Sequence, residues 1–593
     1  MSGPCHPTDY AGEFPRFGNG TGKFSKRWKI SRLCFQGLGK FRHKAPRLGS
    51  GRGADGTTVN FFALLTALLL VPTTLTVRAD AGKPITDVFV DVAHIRHDAK
   101  SWGDTWDHLW ALDDHLYTFG CDGGGYGTNN NNLNFNKLTG PAWDQLVGSP
   151  VNPMSEYGKN GAYLAENSTQ LLERTWSKIT RRPNWKVTGA DSIDGVFYAF
   201  VAQNWYGNQN AYGGNTLDPF LRQTVNNMSL IKSTDKGLTW TRTMAANAVQ
   251  PMWTNKLFST AFFFKYGQNG GSTRQDAQDK FVYAISNDGY WNCGSAFYLG
   301  RVARAKLGHL NAADWQFYCD GNWTGELSAA TPVPGLPNGQ NKCTMGSPLW
   351  LPSLKRYVTV TWFDPCTTTK WHYPEDVTFA FYQAEHPWGP WSCIGAKAAM
   401  EFIGGPGTNH VSRWYGPTLS PKFITDNPDG SVTAILLFSG QTWENKPDSL
   451  YKNNSCPVTF YTRPLPKLRE TVNDTAAKYS DGWRYEPRRG AGDHQDDVHV
   501  TDKTGSYCDF EFAGAGLEIL SEKFHDMGEV EVVLDGQAQG RFNLYQDPMP
   551  RLYQVPFYRK MDLAQGRHTV RVINRAPEGV SCIVDGFKIY GAP

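Results

Sequence analysis

Two aspartates in a short aromatic stretch are the residues best placed to do chemistry. The segment from Trp102 to Gly127 reads WGDTWDHLWALDDHLYTFGCDGGGYG. His108–Leu112 and His115–Gly120 are runs of strand-forming residues, and Asp113-Asp114 between them is a turn signal. With Leu112 paired to His115, Asp104 falls opposite Gly123, one residue from Asp122. Adjacent strands lie about 4.8 Å apart, so the two carboxyl groups would come within roughly 5–8 Å of each other. A carboxyl pair at such a separation can cleave a glycosidic bond, one member as acid and the other as nucleophile or base. Strict alternation would send the two side chains to opposite faces. Gly123-Gly124-Gly125 interrupts the pleat and leaves the direction of Asp122 open. A plainer reading also fits, in which Asp104 caps a turn, Asp113 and Asp114 are solvated, and Asp122 sits in a glycine loop.

A hairpin needs a larger fold to hold it. Turns followed by apolar strands recur: Asp113 before DHLYTFG, Asp194-Gly195 before VFYAFVA, Asp279 before KFVYAIS, Leu354-Lys355 before RYVTVTWF, and Asp429-Gly430 before SVTAILLF. The spacings of 81, 85, 75 and 75 residues predict a five-bladed β-propeller over residues 84–466. The alternative is a β-sandwich whose hairpins happen to be evenly spaced. In a propeller, the residues after each repeated strand gather at one mouth of the central channel. These are Asp122, Asn204 with Trp205, Asp288 with Tyr290 and Trp291, Asp364, and Gln441 with Trp443. Carboxylates among indoles suit a sugar, because aromatic faces pack on the apolar side of the ring. Trp102, Trp106, His108, Glu156, Asp288, Trp291 and Asp364 are therefore candidate substrate-binding residues. Glu156, Asp288 and Asp364 could bind hydroxyls or raise the acid's pKa by like-charge proximity. Equally, polar residues at blade ends can simply satisfy loop backbone.

Ser233–Trp240, STDKGLTW, matches the Asp-box, Ser-x-Asp-x-Gly-x-Thr-Trp, of sialidases and other propellers. Ser233, Asp235, Gly237 and Trp240 are its structural positions, with Trp240 wedged between strands. It marks the architecture and says little about the reaction. A sialidase also needs an arginine triad for the substrate carboxylate, and none is assignable. After Pro466 the chain changes character. Short alternating strands such as EVEVVLDG and HTVRVIN predict a β-sandwich of the jelly-roll type over residues 467–593. Trp483, Tyr485, Tyr545, Tyr553 and Tyr558 are its candidate glycan contacts, with core packing as the alternative role. The fold class is thus all-β: a five-bladed propeller followed by a carbohydrate-binding-like sandwich.

At 593 residues the chain exceeds one ordinary domain. Its 21 Trp, 26 Tyr and 33 Phe, with plentiful Gly and Pro, favour an all-β, carbohydrate-handling protein. The net charge of +4 hides an asymmetry: residues 1–57 hold 11 Lys/Arg and 3 Asp/Glu, so the remainder is mildly acidic. That excludes a basic face suited to nucleic acid. Residues 1–57 read as a basic, disordered extension. Residues 58–79 contain the apolar run VNFFALLTALLLV and a small-residue cleavage site at Val77-Arg78-Ala79, which predicts a signal peptide and secretion, with a signal anchor at the cell surface as the alternative. Nine cysteines follow, with no CxxC pair to suggest zinc. Export would favour disulfides, and Cys508 with Cys582 is the expected pair. Sequons follow at Asn167, Asn227, Asn322, Asn453 and Asn473.

The segments WGDTWDHLWALDDHLYTFGCDGGGYG, VNPMSEYG, SLIKSTDKGLTW, YAISNDGYW and LGRVARAKLG together resemble a family of secreted five-bladed propellers, long labelled a domain of unknown function, that includes endo-D-arabinanases. The resemblance covers roughly residues 90–465. It implies cleavage of D-arabinofuranosyl linkages, with Asp104 and Asp122 at the catalytic positions, Asp122 as nucleophile and Asp104 as acid/base. No metal or other cofactor is required; a structural cation in the channel is compatible. The expected partner is a polysaccharide or glycoconjugate substrate, with no nucleic acid and no stable protein partner implied. Two rivals use the same fold: a non-catalytic glycan-binding or adhesion protein, and a sialidase-like or polysaccharide-lyase enzyme.

Overall fold

Each of the five repeated apolar runs is the second strand of a separate antiparallel sheet. The computed structural model describes residues 82–128, 131–155, 172–173, 180–181, 184–206, 223–241, 252–254, 257–271, 280–289, 294–338, 346–363, 378–398, 414–440, 450–547 and 551–592. Blade 1 is built from Trp102–Trp110, Leu116–Gly125, Asn131–Thr139 and Val147–Asn152. Blade 2 has Asn184–Ile193, Val196–Tyr206 and Gln223–Ser233, with Thr241 bridged to Lys232 on its outer side. Blade 3 runs through Thr260–Phe263, Phe281–Asn287, Phe297–Ala303, Trp315–Cys319 and Asn322–Thr324. Blade 4 comprises Leu349–Leu351, Arg356–Phe363, Thr378–Ala384 and Ser392–Ala398. Blade 5 has Trp414–Leu419, Val432–Gly440 and Asn454–Tyr461.

The outer strand of blade 5 comes from the other end of the propeller sequence. Asp87–Val90 pairs antiparallel with Asn454–Tyr461, Asp87 opposite Tyr461 and Val90 opposite Val458. This closes the ring with backbone hydrogen bonds between its first and last strands. The innermost strands follow one another around the axis: blade 1 packs on blade 2, blade 2 on blade 3, and blade 5 returns to blade 1. Lys265 and Leu349 form a parallel bridge between blades 3 and 4. The second strands read as continuous apolar runs because each is covered on both faces by neighbouring blades. Phe119, Phe135, Val187, Phe197 and Ile231 fill one such layer between blades 1 and 2. Each fully buried large apolar side chain contributes about 1.5–3 kcal/mol by leaving water.

The sandwich starts at Lys467. One sheet joins Lys467–Asn473, Gly586–Gly591, Gly516–Lys523 and Leu552–Lys560; a second joins Lys478–Tyr479, Tyr507–Gly514, Gly566–Asn574, Glu529–Leu534 and Gln537–Asn543. A short third sheet holds Trp483–Pro487, Asp497–Thr501 and Cys582–Val584. Glu529–Leu534 buries every second residue, as a strand with one solvated face must. The sandwich is seated on the propeller. Leu552 and Val555 enter the core beside Val88 and Val90, the Arg559 guanidinium lies 3.3 Å from the centre of the Phe89 ring, and Lys523 Nζ donates to the Ala93 carbonyl at 2.5 Å.

Candidate active site

The blade 1 hairpin turns differently from the simplest pairing. Ala111 N donates to His115 O and Asp114 N to Ala111 O. The loop is therefore the three residues Leu112, Asp113 and Asp114, with Asp114 left-handed at φ 63°. Leu112, expected opposite His115, projects into solvent. The register slides by one residue, Leu109 facing Tyr117, and two irregularities then bring Asp104 opposite Cys121 rather than Gly123. Thr105 and Asp122 both adopt the left-handed region, at φ 55° and 51°. That is uncommon for a non-glycine residue and costly for β-branched Thr105. Face alternation holds only along extended backbone, so the left-handed Asp122 is freed from it. Gly123 lets the strands approach: a Cβ there would stand 2.3 Å from the Trp102 carbonyl oxygen.

The two carboxyl groups share one neighbourhood. Asp122 forms an ion pair with Lys186, which arrives from the innermost strand of blade 2. Tyr415, from the innermost strand of blade 5, donates its hydroxyl to Asp104 Oδ2 at 2.8 Å, and Thr105 Oγ1 donates to Oδ1 at 3.3 Å. Burial pushes the Asp104 carboxyl up to about 6. The Lys186 charge opposes that rise, the Asp122 charge adds to it, and hydrogen bonds from Tyr415 and Tyr451 oppose it. Three blades thus supply one buried acid beside one ion-paired, partly exposed carboxylate.

One turn deeper, all five blades meet at Asp107. Its Oδ2 accepts from Ala190 N of blade 2 at 2.8 Å and from Lys265 Nζ of blade 3 at 3.0 Å. Its Oδ1 accepts from Ser347 Oγ, just before blade 4, at 3.1 Å and from Thr418 Oγ1 of blade 5 at 3.3 Å. Lys265 also donates to the carbonyls of His108 and Ala190. An ammonium group attached to the chain therefore stands among the oxygens of the channel. Among the described residues, no group of three or more His, Cys, Asp or Glu is arranged to hold a metal ion.

The other expected residues divide. His108 is buried rather than at the mouth: its Nδ1 meets Ser420 Oγ at 3.2 Å, and burial, with Lys265 and Arg96 nearby, lowers its pKa to about 3. Trp106 is also buried, edge-on to Tyr126 at 6.0 Å, so it packs and cannot stack on a sugar. Both corrections have one cause, since most of this strand is covered by blades on both sides. Trp102 is half-buried at the same strand end as Asp104. Asp288 follows the second strand of blade 3 and accepts from Ser295 N at 2.5 Å, tying down its own loop; burial raises its pKa against that bond. Glu156, Trp291 and Asp364 lie outside the described residues, as do Tyr290, Gln441 and Trp443 and the side chains of Asn204 and Trp205.

The Ser233–Trp240 turn is tied through its own side chains. Ser233 Oγ donates to Asp235 Oδ1 at 2.7 Å and accepts from Gly237 N at 2.8 Å; Thr239 N and Oγ1 donate to the Asp235 carboxylate. Trp240 packs on Phe119 and Phe135 of blade 1, with ring centroids 5.3 and 5.2 Å away. Gly237 takes φ 88°, and a Cβ there would strike the Phe135 ring. In the sandwich, Cys508 and Cys582 are buried free thiols, not the expected disulfide. They lie on strands of different sheets within the apolar core, where burial pushes the Cys582 thiol up to about 12. Tyr558 belongs to that core, while Tyr485 and Tyr545 are exposed.

Lys186, Tyr415, Tyr451, Asp107 and Lys265 were not anticipated. A signal for three of them exists: Asp107, Lys186 and Lys265 are isolated charges in otherwise apolar strand sequences, WDHLW, NWKVTGA and TAFFFKYG. A charge in a strand covered on both faces must find a counter-charge. Tyr415 and Tyr451 carry no comparable mark.

No protein-family profile and no curated protein matches the chain. Among solved structures, it is similar to an exo-β-1,3-galactanase from Phanerochaete chrysosporium, at 10% identity over 85% of this chain and 100% of the other, with a TM-score of 0.33. It is also similar to a putative hydrolase from Bacteroides ovatus, at 14% identity over 63% and 90% of the two chains, TM-score 0.36. A third is a glycoside hydrolase family 43 arabinoxylan arabinofuranohydrolase from Bacillus subtilis, at 10% identity over 84% and 97%, TM-score 0.30. Likeness at this level decides neither reaction nor substrate, which must come from the site.

Proposed function

We propose that the propeller is a glycoside hydrolase whose acid is Asp104 and whose nucleophile or base is Asp122. The observation that carries this reading is the contrast between two neighbouring carboxyls: Asp104 is buried and pushed up to about 6, while Asp122 is ion-paired with Lys186. Pairs of acids whose surroundings separate their protonation mark acid and base roles. In the forward step, Asp104 gives its proton to the glycosidic oxygen as the bond from that oxygen to the anomeric carbon breaks. Asp122 either bonds to that carbon or takes a proton from the water that does. In the first case a later water, deprotonated by the Asp104 carboxylate, attacks the anomeric carbon and releases Asp122.

The resemblance of the Trp102–Gly127 segment and its companions to the endo-D-arabinanase-containing family supports a furanosidic, arabinan-type substrate. The leader-like residues 58–79 support an extracellular one. The test is hydrolysis by the full chain of a panel of arabinan, arabinoxylan, pectin and sialoglycan. Release of arabinofuranosyl products by the wild type, abolished in Asp104→Asn and Asp122→Asn, is the expected result. Glycan binding without cleavage would favour the adhesion reading, and cleavage of another polymer would retain the hydrolase while replacing its substrate.

A further inference from the structure

We propose that Lys186 is a positioning residue that assigns the two aspartates their different tasks, holding Asp122 as the carboxylate and leaving the site's one spare proton on Asp104. The inference rests on the reading of Asp104 and Asp122 as a hydrolytic pair and adds the group that distinguishes them.

Along Asn184–Ile193, Trp185 and Val187 enter the apolar layer between blades 1 and 2. Lys186 and Thr188 consequently face the other way, and Thr188 Oγ1 donates to Ala261 O of blade 3 at 2.6 Å. Lys186 is buried, at 2% exposure, so its ammonium has exchanged water for protein partners. Such a charge persists only when compensated. Its counter-charge is Asp122 Oδ2.

Charge counting supplies the rest. One ammonium balances one carboxylate, and a second carboxylate in the same enclosed space would be left uncompensated. Lys186, Asp122, Tyr415 and Tyr451 act on Asp104 by charge or hydrogen bond, and the Thr105 hydroxyl also donates to it. The nearby Cys121 thiol is pushed up to about 12 by burial and stays neutral. The remaining proton therefore rests on the more enclosed carboxyl, Asp104. Tyr415 donates to its Oδ2, so the acidic hydrogen belongs on Oδ1, whose present neighbour is the rotatable Thr105 hydroxyl.

The test is the pH titration of the Asp104 carboxyl carbon by NMR in the full chain labelled at aspartate, assigned by its loss in Asp104→Asn. In Lys186→Met the Asp104 midpoint should rise by about one unit or more over the wild type. Lys186→Arg should restore the wild-type curve. An unchanged midpoint in Lys186→Met overturns the proposal. The pH profile of kcat/KM should move with the midpoint in Lys186→Met; a merely structural lysine would lower the profile without moving it. Should Lys186→Met fail to fold, Lys186→Met/Asp122→Asn leaves no uncompensated charge. In that double variant, Asp104 should titrate about one unit or more above its position in Asp122→Asn alone, and equal midpoints overturn the proposal. A wild type that cleaves no glycan defeats the hydrolase reading, whereas the titration still reports whether Lys186 sets the charge of this pair.

Discussion

At Asp104, burial is expressed as acidity. Its carboxyl is pushed up to about 6 because the loss of water outweighs what Lys186, Tyr415 and Tyr451 return to the charged form. A general acid works only while protonated, so kcat/KM should fall above about pH 6 along a limb that belongs to Asp104. Tyr415→Phe removes a hydrogen bond that favours the carboxylate. That limb should then move to higher pH by about one unit or less, read from kcat/KM profiles of the two proteins. A limb that stays in place would show that the hydroxyl does not act on Asp104. Residue identity marked the two aspartates as candidates but gave no sign of these partners. Lys186 comes from the neighbouring blade 2, and Tyr415 comes from blade 5 and reaches Asp104 only through ring closure.

The hairpin shows what local sequence conveys and where it stops. Strand-forming runs on either side of Asp113-Asp114 were legible as a hairpin. The register was not, because the left-handed positions that set it are occupied by Asp114, Thr105 and Asp122 rather than glycine. Left-handed aspartate and threonine leave no signal as clear as an Asn-Gly turn. Trp106 and His108 were read as mouth residues for a related reason: alternation predicts two faces, and in a propeller both faces of this strand are covered. The Asp-box is the element where sequence and local structure correspond most directly, since the side-chain hydrogen bonds of Ser233 and Asp235 lie within eight residues. Its Trp240 spans blades 1 and 2, so Trp240→Ala should destabilise the propeller by about 2–3 kcal/mol in chemical denaturation. Activity per folded molecule should be retained, because the ring packs on Phe119 and Phe135 and bonds to its own turn at Gly237 O.

Across the molecule, five apolar runs at even spacing made the propeller legible, since each is a central strand buried from both sides. The closing strand Asp87–Val90 was invisible, being four ordinary residues whose partner lies more than 350 positions away. So was the meeting of all blades on Asp107. Asp107→Asn would leave the Lys265 ammonium buried without its counter-charge and should cost about 3–5 kcal/mol in a denaturation experiment. Loss of less than about 1 kcal/mol would contradict the role of Asp107 as the common tie. The whole fold should also respond to pH. Burial raises Asp104 to about 6, Asp191 to about 7, Asp493 to about 7 and Asp585 to about 8. Groups with raised folded pKa values bind protons more tightly folded than unfolded. Their contribution is complete below the unfolded value of 3.8 and is lost as pH rises through the folded values. Asp113, Asp235 and Asp535, lowered by their hydrogen bonds against the opposing effect of burial, lose their contribution as pH falls below that value. His108, lowered to about 3, works the other way, because below 6.5 the unfolded imidazole takes up a proton that the folded one refuses. Four carboxyls outweigh one imidazole, so thermal stability should peak at about pH 4–5 and decline towards pH 8, measured by calorimetry in buffers of equal ionic strength.

The central claim is that Asp104 protonates the leaving group while Asp122 acts at the anomeric carbon. The most direct measurement compares Asp104→Asn and Asp122→Asn on a natural arabinan and on an aryl arabinofuranoside whose leaving group needs no proton. Asp104→Asn should lose the polymer reaction by about 100-fold or more while largely keeping the aryl reaction, and Asp122→Asn should lose both. Equal losses on both substrates in Asp104→Asn, or full activity in Asp122→Asn, would contradict the assignment.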